Sequence, residues 1–353
     1  MPDPVCAACV GRYGAPVTTR WGILGPGRIA RSFAHDLGLV PDAEATAVGS
    51  RSLSRATAFA EEHGFASAYG SYEELLADES VDAVYVASPH GLHVEHVTAA
   101  LEAGKHVLCE KPITLRAADA EALLALALRH ERLLMEAMWT ACHPVVRAVQ
   151  RELREGAFGT PHHLHAELGF VVDTTPDDRL LDPALGAGAL LDMGIYPLTF
   201  AHLLLGEAEA LTATAVLSDT GIDLDIAVAG RYPGGAVATL VASMTSWSSR
   251  RAELATDRGR LLLEDFHHPT HATFTPTAVG GSNDDTERLE ARRIEGDEPV
   301  IGRGYGNEAA EFQRCLAEGL LESPLVPHAQ TLAIMRQMDQ VRAQVGVRYP
   351  GDG

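Results

Sequence analysis

Residues Trp21–Ala30 read WGILGPGRIA, a short apolar run followed at once by a glycine turn. The turn has the pattern GxGxxA, and a helical pattern follows it to about Leu39. Glycines between a strand and a helix let the backbone approach a pyrophosphate, which then meets the free N–H groups of the helix. This context predicts a dinucleotide-binding turn. The expected cofactor contacts in it are Gly25, Gly27, Arg28 and Ile29.

Strand-like and helical segments alternate from this stretch to about residue 139. The predicted strands are Trp21–Leu24, Glu44–Ser50, Ala66–Tyr69, Val81–Ala87, Lys105–Cys109 and Leu133–Ala137. Such alternation at short spacing builds a parallel, doubly wound sheet with right-handed crossovers. The predicted class is therefore α/β, with a Rossmann dinucleotide-binding domain over residues 20–139. Residues 1–19 are expected to form a disordered leader.

The pattern changes after about Thr140, where strands follow one another without intervening helices. The predicted strands are His162–Phe170, Ala210–Ser218, Ile222–Tyr232, Ala236–Ser246, Ala252–Thr256 and Arg260–Glu264. Consecutive strands favour a large, mainly antiparallel, open sheet in an α+β domain over residues 140–353. The predicted helices are Pro144–Glu155, one from near Leu190, Asn307–Leu321 and His328–Val345, of which the last two are expected to pack back on the first domain. Residues 280–296 are predicted to be a polar surface loop.

Composition narrows the functional classes. The chain has 353 residues and a formal net charge of −20, which argues against nucleic acid and anionic membrane surfaces as partners. No apolar run reaches the roughly 18 residues of a transmembrane helix. The five cysteines are scattered, which favours a reducing cytoplasm over a disulfide framework. The CxxC of Cys6 and Cys9 has no second pair and is assigned to the leader.

The end of the second strand indicates which dinucleotide binds. NAD-preferring sites usually carry an acid there for the ribose 2′-hydroxyl. Here Ser50, Arg51 and Arg55 occupy the region, and the nearest acids, Glu44 and Glu61, lie away from the strand end. Hydroxyl and guanidinium groups suit a 2′-phosphate. NADP is therefore the expected cofactor, with NAD as the alternative, and Arg51 is the first candidate for the phosphate contact.

Two segments carry candidate chemistry. Lys111 follows the fifth strand, at the sheet edge where ligands bind in such folds, and Pro112 succeeds it. Asp192 and Tyr196 are four residues apart, so on a helix they share a face. A phenol can exchange a proton with a substrate hydroxyl, and a carboxylate one turn away can bond that hydroxyl or the lysine. Taken separately, a surface lysine is an equally good interpretation of Lys111, and an N-cap acid and a core tyrosine are the better interpretations of Asp192 and Tyr196.

The histidines do not predict a metal site. His162, His163 and His165 form one cluster, and His267, His268 and His271 form another. Neither has an acidic or cysteine partner at a metal-binding spacing. Both groups are predicted to be surface or interface residues.

Taken together, the segments GPGRIA, SPHGLHVEH, EKP and GALLDMGIYP resemble the glucose–fructose oxidoreductase/inositol dehydrogenase (Gfo/Idh/MocA) family of NAD(P) enzymes. The resemblance runs from Trp21 to about Val345. The segments LMEAMWT and LLDMGIY are most similar to the branch that holds dimeric dihydrodiol dehydrogenases and NADP-linked D-xylose dehydrogenases. That branch usually continues Trp-Thr with Arg-Phe-x-Pro, whereas here Ala141-Cys142-His143-Pro144 follows. The missing arginine leaves the substrate open.

The resemblance implies roles for individual residues. Lys111 matches the lysine that contacts the substrate oxygen, Tyr196 the proton donor or acceptor, and Asp192 the acid one turn before it. The Lys111–Pro112 peptide bond is expected to be cis. Further cofactor contacts are implied at Ser88, His90, His93, Glu110 and Lys111. The pocket is expected to include Trp139, Phe170, Arg179, Asp192 and Tyr196.

The expected function is hydride transfer between NADP(H) and an alcohol or carbonyl of a sugar, polyol or trans-diol. One alternative is an NADPH-dependent ketoreductase of nucleotide-linked sugars. A second is a non-catalytic NADP-binding regulatory protein. Relatives pair through the open face of the second sheet, which implies a homodimer or homotetramer.

Overall fold

The computed structural model describes residues 18–172, 179–277 and 289–352, and of Arg179 only the backbone. The predicted leader lies outside these residues except for its last two, and Thr19 already belongs to the first strand. The doublet Cys6 and Cys9 also lies outside them.

The first sheet has six parallel strands in the order β3-β2-β1-β4-β5-β6. They are β1 (Thr19–Leu24), β2 (Ala43–Gly49), β3 (Ser67–Tyr69), β4 (Ala83–Val86), β5 (His106–Glu110) and β6 (Leu134–Ala137). The helices between them are α1 (Arg28–Leu37), α2 (Leu53–His63), α3 (Tyr72–Leu76), α4 (His93–Glu102) and α5 (Ala117–Arg129). The strand order reverses between β1 and β4, which places the ligand crevice beyond their carboxyl ends. The predicted doubly wound fold is confirmed.

Aromatic packing fixes the first helix on this sheet. Phe33 of α1 stacks on Tyr85 of β4 with ring centres 3.8 Å apart, and both side chains are fully buried. Trp21 lies edge-on to Phe33 at 5.6 Å, and its indole N–H donates to Gln313 at 3.1 Å. The glycine turn that joins β1 to α1 is therefore attached to two rigidly packed elements.

Two helices link the sheets: α6 (Trp139–Cys142), which the sequence pattern did not predict, and α7 (Pro144–Arg154). The second sheet follows in the order β14-β13-β12-β11-β7-β10-β9-β8. Its strands are β7 (Pro161–Gly169), β8 (Ala210–Leu217), β9 (Asp223–Arg231), β10 (Val237–Ser243), β11 (Ala252–Thr256), β12 (Gly259–Leu263), β13 (Ala272–Pro276) and β14 (Arg292–Ile294). All neighbours are antiparallel except β7 and β10. The predicted mainly antiparallel sheet is confirmed.

One face of this sheet is covered and the other is open. The helix α8 (Ile195–Leu205) packs on β7 and β10, so Leu164, Ala166 and Leu168 are buried beneath it. Alternate residues such as His163 and Thr239 point to the exposed face. A large sheet with one solvated face is typical of antiparallel architecture.

The sequence pattern did not predict strands β13 and β14, and β14 lies within the predicted loop. Residues 292–294 form β14, although the loop was expected to extend to residue 296; its residues 280–288 lie outside the described part of the chain. β14 has three residues and β13 has five, and such short polar segments have little alternation to detect.

The last two helices contact the first sheet's helices. They are α9 (Tyr305–Ala317), which packs on α1, and α10 (His328–Val345), which packs on α5 and α8. The segment Pro183–Leu205 is, by length and composition alone, long and apolar enough to span a membrane, with a mean hydropathy of 1.4. However, 83% of its most apolar window is buried inside the protein, as in a core helix.

Candidate active site

Two adjoining cavities open where the parallel strands of the first sheet end. The smaller has a volume of about 360 Å³ and the wider about 600 Å³. Residues from both halves of the chain border both cavities, namely Arg28, Ile29, Lys111, Trp139, Asp192, Tyr196 and Tyr305. The crevice therefore lies at the junction of the two sheets.

The smaller cavity is built from the turns after four parallel strands. Its lining includes Gly27, the segment Ala87–His90, Glu110, Lys111 and Ala137. A Cβ on Gly27 would meet no atom within 4 Å, so the backbone there is open to a ligand. Gly25 has φ +93, a conformation that a side chain disfavours, and its N–H donates to the Gly49 carbonyl. These features fit a dinucleotide whose phosphates lie against the turn.

The loop after β4 brings some of its predicted residues to the cavity but not all. Ser88 and His90 line it, and the His90 ring contacts the Gly186 carbonyl at 3.1 Å. His93 lines neither cavity. It is fully buried, and its two ring nitrogens lie 2.9 Å from the Ser88 and Pro112 carbonyls. Burial lowers the pKa of His93 to about 4, against hydrogen bonds to these two carbonyls that raise it, and the ring joins two loops rather than lining either cavity.

The basic end of β2 lies outside both cavities. Ser50 is buried, and its hydroxyl accepts the Ser52 N–H at 3.3 Å. Arg51 and Arg55 are exposed. Burial raises the pKa of Tyr72, and a hydrogen bond from the Arg51 guanidinium opposes that shift. The carboxyl end of β2 thus presents hydroxyl and guanidinium groups.

Lys111 and Tyr196 meet between the two cavities. The Lys111 ammonium donates to the Asp192 carbonyl oxygen at 2.8 Å and lies 4.7 Å from the centre of the Tyr196 ring. The Trp139 indole N–H donates to the Tyr196 hydroxyl at 2.9 Å. Burial raises the pKa of Tyr196 well above its usual value, and the Trp139 bond opposes that rise. The expected cis bond between Lys111 and Pro112 is confirmed.

Asp192 lies in a wide turn, which changes its expected contacts. Residues Leu190–Gly194 form a π-helical turn before α8 begins. The Lys111 bond goes to the peptide oxygen of Asp192, while one carboxylate oxygen lies 3.8 Å from His90 Nε2. The carboxylate and the phenol nevertheless border the same cavities. π-Helical turns are frequent at functional sites.

A buried acid fixes this turn from below. Asp223 of β9 is fully buried, and its carboxylate accepts the Leu190 N–H at 2.6 Å. A Cβ on Gly188, which has φ +130, would come within 2.2 Å of the same carboxylate. Burial raises the pKa of Asp223 to about 7. The turn that carries Asp192 therefore rests on a carboxyl group that titrates near neutrality.

The wider cavity combines aromatic, apolar and cationic walls. Trp139 stacks on Tyr305 with ring centres 4.4 Å apart and planes within 2° of parallel. The apolar residues are Leu168, Phe170, Leu180 and Met193, and the cationic ones are Arg28 and Arg303. The predicted pocket residues Trp139 and Phe170 thus line it, whereas the side chain of Arg179 lies outside the described part of the structure.

For two of its three members, the second histidine group contradicts the predicted surface or interface location. His267 and His268 line the wider cavity, and the His267 ring lies 5.4 Å from that of Tyr196. A hydrogen bond from Thr140 to the His267 carbonyl, at 2.8 Å, draws this segment beneath α6. Burial lowers the pKa of His267 well below its usual value. By contrast, His162 and His163 are exposed on β7. No group of three or more potential metal ligands is found among the described residues.

Several residues that line the wider cavity belong to no recognisable motif. Arg303 lies in the turn before α9, and Tyr305 is the first residue of that helix. The fully buried Asp36 of α1 holds this part of the chain in place. The Asp36 carboxylate accepts the N–H groups of Arg303 at 2.7 Å and Tyr305 at 3.1 Å. Only the glycines on either side of Arg303 mark this turn in the sequence.

Comparison with known proteins agrees with this architecture. Residues 19–138 match the NAD-binding Rossmann-fold model of the GFO/IDH/MocA oxidoreductases, and residues 146–262 match the GFO/IDH/MocA C-terminal domain. The chain is 33% identical to trans-1,2-dihydrobenzene-1,2-diol dehydrogenase of Xenopus laevis, over 95% of this chain and all of the relative. The Mus musculus enzyme of that name is also 33% identical, over 94% of this chain and 98% of the relative.

Solved structures show the same fold. A 3-ketoreductase from Actinomadura kijaniata, in complex with NADP and TDP-benzene, is 29% identical with a TM-score of 0.81, covering 94% of this chain and 99% of that one. An aldose-aldose oxidoreductase from Caulobacter crescentus has a TM-score of 0.82 at 22% identity, covering 93% and 98% of the two chains.

Replacing Asp223 with Asn tests its role beneath the turn. Because folding raises the Asp223 pKa, this group favours the folded state fully below about pH 4 and loses that contribution as the pH rises to about 7. The Asn variant keeps an oxygen for the Leu190 N–H and does not ionise. The free energy of unfolding of each protein is measured with urea from pH 4 to 8. The difference, variant minus wild type, should increase over this range by up to about 4 kcal/mol. Parallel curves for the two proteins would contradict this, and Asn at the exposed Asp219 is the control.

Proposed function

The chain belongs to the GFO/IDH/MocA family of oxidoreductases, and from that premise we propose that it transfers hydride between NADP(H) and an alcohol or carbonyl group of a sugar, polyol or trans-diol. The observation that carries the proposal is the meeting of the Lys111 ammonium and the Tyr196 phenol where the two cavities join. A hydride-transfer site needs a proton-exchanging group beside the cofactor cavity and facing the substrate cavity, and Tyr196 borders both.

The cofactor fits the smaller cavity. Gly25 and Gly27 provide the close backbone approach, while Ser88, His90, Glu110 and Lys111 border the space beyond them. A bound nicotinamide supplies or accepts the hydride there. Arg51, with Ser50 and Arg55 beside it, is our candidate for the contact with a 2′-phosphate, since a guanidinium pairs well with phosphate oxygens.

Tyr196 acts as the general base in oxidation and as the general acid in reduction. Burial raises its pKa, so the phenolate needs local stabilisation to form near neutral pH. Two groups provide it: the ammonium of Lys111 over the ring and the indole N–H of Trp139 on the oxygen. Both favour the charged form of the phenol and thereby lower the cost of taking a proton from a substrate hydroxyl.

Lys111 and Asp192 orient the site. Because the Asp192 carbonyl oxygen accepts a hydrogen bond from the Lys111 ammonium, the ammonium stays beside the phenol. The Asp192 carboxylate, near His90, is placed to accept a hydrogen bond from a neighbouring hydroxyl. Vicinal hydroxyls occur in sugars, polyols and trans-diols alike, and the relatives named as dihydrobenzenediol dehydrogenases support this substrate class.

The non-catalytic alternative has less support because the acid–base pair is complete. We also propose a homo-oligomer formed through the open face of the second sheet. Thr212, Ala229 and Thr239 lie side by side on adjacent strands of that face. All three are exposed and small, so a second sheet could approach closely. A cytoplasmic location is proposed from the buried free thiols of Cys109, Cys142 and Cys315.

Replacing Tyr196 with Phe should lower kcat by about 10²–10⁴-fold, since the variant lacks the proton-exchanging group. The Kd for NADPH, measured by fluorescence titration, should stay within about threefold. Phe at Tyr305 is the matched control, because it keeps the ring that stacks on Trp139 and removes a different phenol from the same cavity. Full turnover in the Tyr196 variant, on a substrate identified by screening sugars, polyols and diols, would remove Tyr196 from this role.

Replacing Arg51 with Ala should raise the KM for NADP by roughly 10–100-fold, the value of a lost charged hydrogen bond. The KM for NAD should hardly change, because NAD has no 2′-phosphate. Steady-state kinetics with each cofactor measures the ratio, and Ala at the exposed Arg129 of α5 serves as the control. An equal effect on both cofactors would count against the assignment of Arg51.

Replacing Ala229 with Arg should dissociate the oligomer, because a long charged side chain would separate the two open faces. Light scattering coupled to size exclusion gives the mass directly. The same substitution at the exposed Ala103 of the first domain should leave the mass unchanged. A wild-type protein that is monomeric at micromolar concentration would refute the proposed interface.

A further inference from the structure

We propose that Arg28 and Arg303 form an anion subsite in the wider cavity, so that the natural substrate carries a phosphate or carboxylate group besides its reacting carbinol. The inference rests on the proposed hydride transfer at Tyr196 and deepens it by naming the charge of the substrate. Its physical basis is a pair of guanidinium groups that line the wider cavity and make no ion pair within the described residues.

The chain carries an excess of acids, which offers carboxylate partners to its arginines. The net charge is −20, and most other arginines on the described surface have found carboxylates, as Arg20, Arg147 and Arg251 have. Within the described residues, neither Arg28 nor Arg303 makes an ion pair, and neither side chain has a hydrogen bond to another residue. Both nevertheless line the wider cavity.

Each of the two is placed by its backbone. Arg28 is the first residue of α1, directly after the glycine turn. Arg303 lies between Gly302 (φ +64) and Gly304 (φ +113), and its N–H donates to the buried Asp36 carboxylate at 2.7 Å. A Cβ on Gly302 would come within 2.1 Å of that carboxylate, so the turn needs glycine there. The backbone conformation of this turn therefore places Arg303 at the rim of the cavity.

The surrounding charges favour an anion at this rim. Among the described residues that line the wider cavity, Asp192 carries the one carboxylate. It contacts His90, and its carbonyl accepts the Lys111 ammonium, so it belongs to the catalytic end. Ser32, Tyr305 and His268 also line the cavity and add possible donors. Each guanidinium offers five N–H groups in a planar fork that matches carboxylate and phosphate oxygens.

A substitution at Arg303 tests the anion subsite without altering the lining of the cofactor cavity. Arg28 borders both cavities, so its loss could weaken either ligand. Arg303 borders the wider cavity and is absent from the lining of the smaller one. The substitution Arg303→Gln is therefore the informative one, since it keeps a polar, hydrogen-bonding side chain and removes the charge.

The experiment compares neutral and anionic sugars on the full-length protein. Glucose is assayed beside glucose 6-phosphate, glucuronate and dTDP-glucose, and xylose beside xylose 5-phosphate, with NADP or NADPH as the cofactor. Calorimetry measures binding of each sugar to the NADP-loaded protein. Arg303→Gln, with Gln at the exposed Arg129 as the control, is studied in parallel. The phosphate, carboxylate and nucleotide arms distinguish the source of the anion.

The expected result is a kcat/KM at least about tenfold higher for an anionic sugar than for its neutral parent. Arg303→Gln should lower it by roughly 10–100-fold, and activity on the neutral sugar by less than threefold. Turnover that prefers neutral sugars and ignores Arg303→Gln would overturn the subsite and leave the proposed function intact. Binding that depends on the charge of the sugar, without any turnover, would support the subsite and overturn the proposed function. If neither charge-dependent binding nor turnover is observed, the subsite and the proposed function are both overturned.

Discussion

A hydrogen bond at the centre of the site joins its two halves: the Lys111 ammonium donates to the carbonyl oxygen of Asp192, at 2.8 Å. Lys111 directly follows strand β5 of the parallel sheet, whereas Asp192 belongs to the π-helical turn that precedes α8. A peptide oxygen is a fixed acceptor, so its location dictates where the charge lies. Tyr196, the second residue of α8, has its ring beside that charge because the same turn delivers both groups.

Buried carboxylates hold the loops on either side of this bond. Asp223 accepts a backbone N–H at the start of the π-helical turn, and Asp36 accepts two in the turn that precedes α9. A carboxylate that satisfies backbone donors fixes a loop more firmly than an apolar contact, because leaving those donors unpaired in the interior is costly. The cavity walls that carry Asp192, Arg303 and Tyr305 therefore have the rigidity that binding sites need.

The sequence predicted the parts of the molecule that depend on local periodicity. The alternating strands and helices and the GxGxxA turn indicate the doubly wound sheet, because each feature is complete within some thirty residues. The convergence of Lys111 and Tyr196 was inferred from motifs rather than from spacing. His267 and Arg303 were not found, since their entry into the cavity depends on the Thr140 and Asp36 bonds made by distant segments. The π-helical turn has no distinct pattern either, so the Lys111 bond to a peptide oxygen could not be foreseen.

The acid–base balance around Tyr196 also depends on a buried carboxyl group, that of Glu308. Glu308 of α9 is fully buried, and neither of its oxygens has a hydrogen-bond partner within the described part of the chain. Burial raises its pKa well above the usual value, and nearby Glu110 raises it further. Glu110 and Glu308 both raise the Tyr196 pKa, and an ionised Glu308 would add a full negative charge to that effect. A protonated Glu308 therefore leaves Lys111 and Trp139 less negative charge to offset, which keeps the phenol closer to the range in which it can exchange a proton.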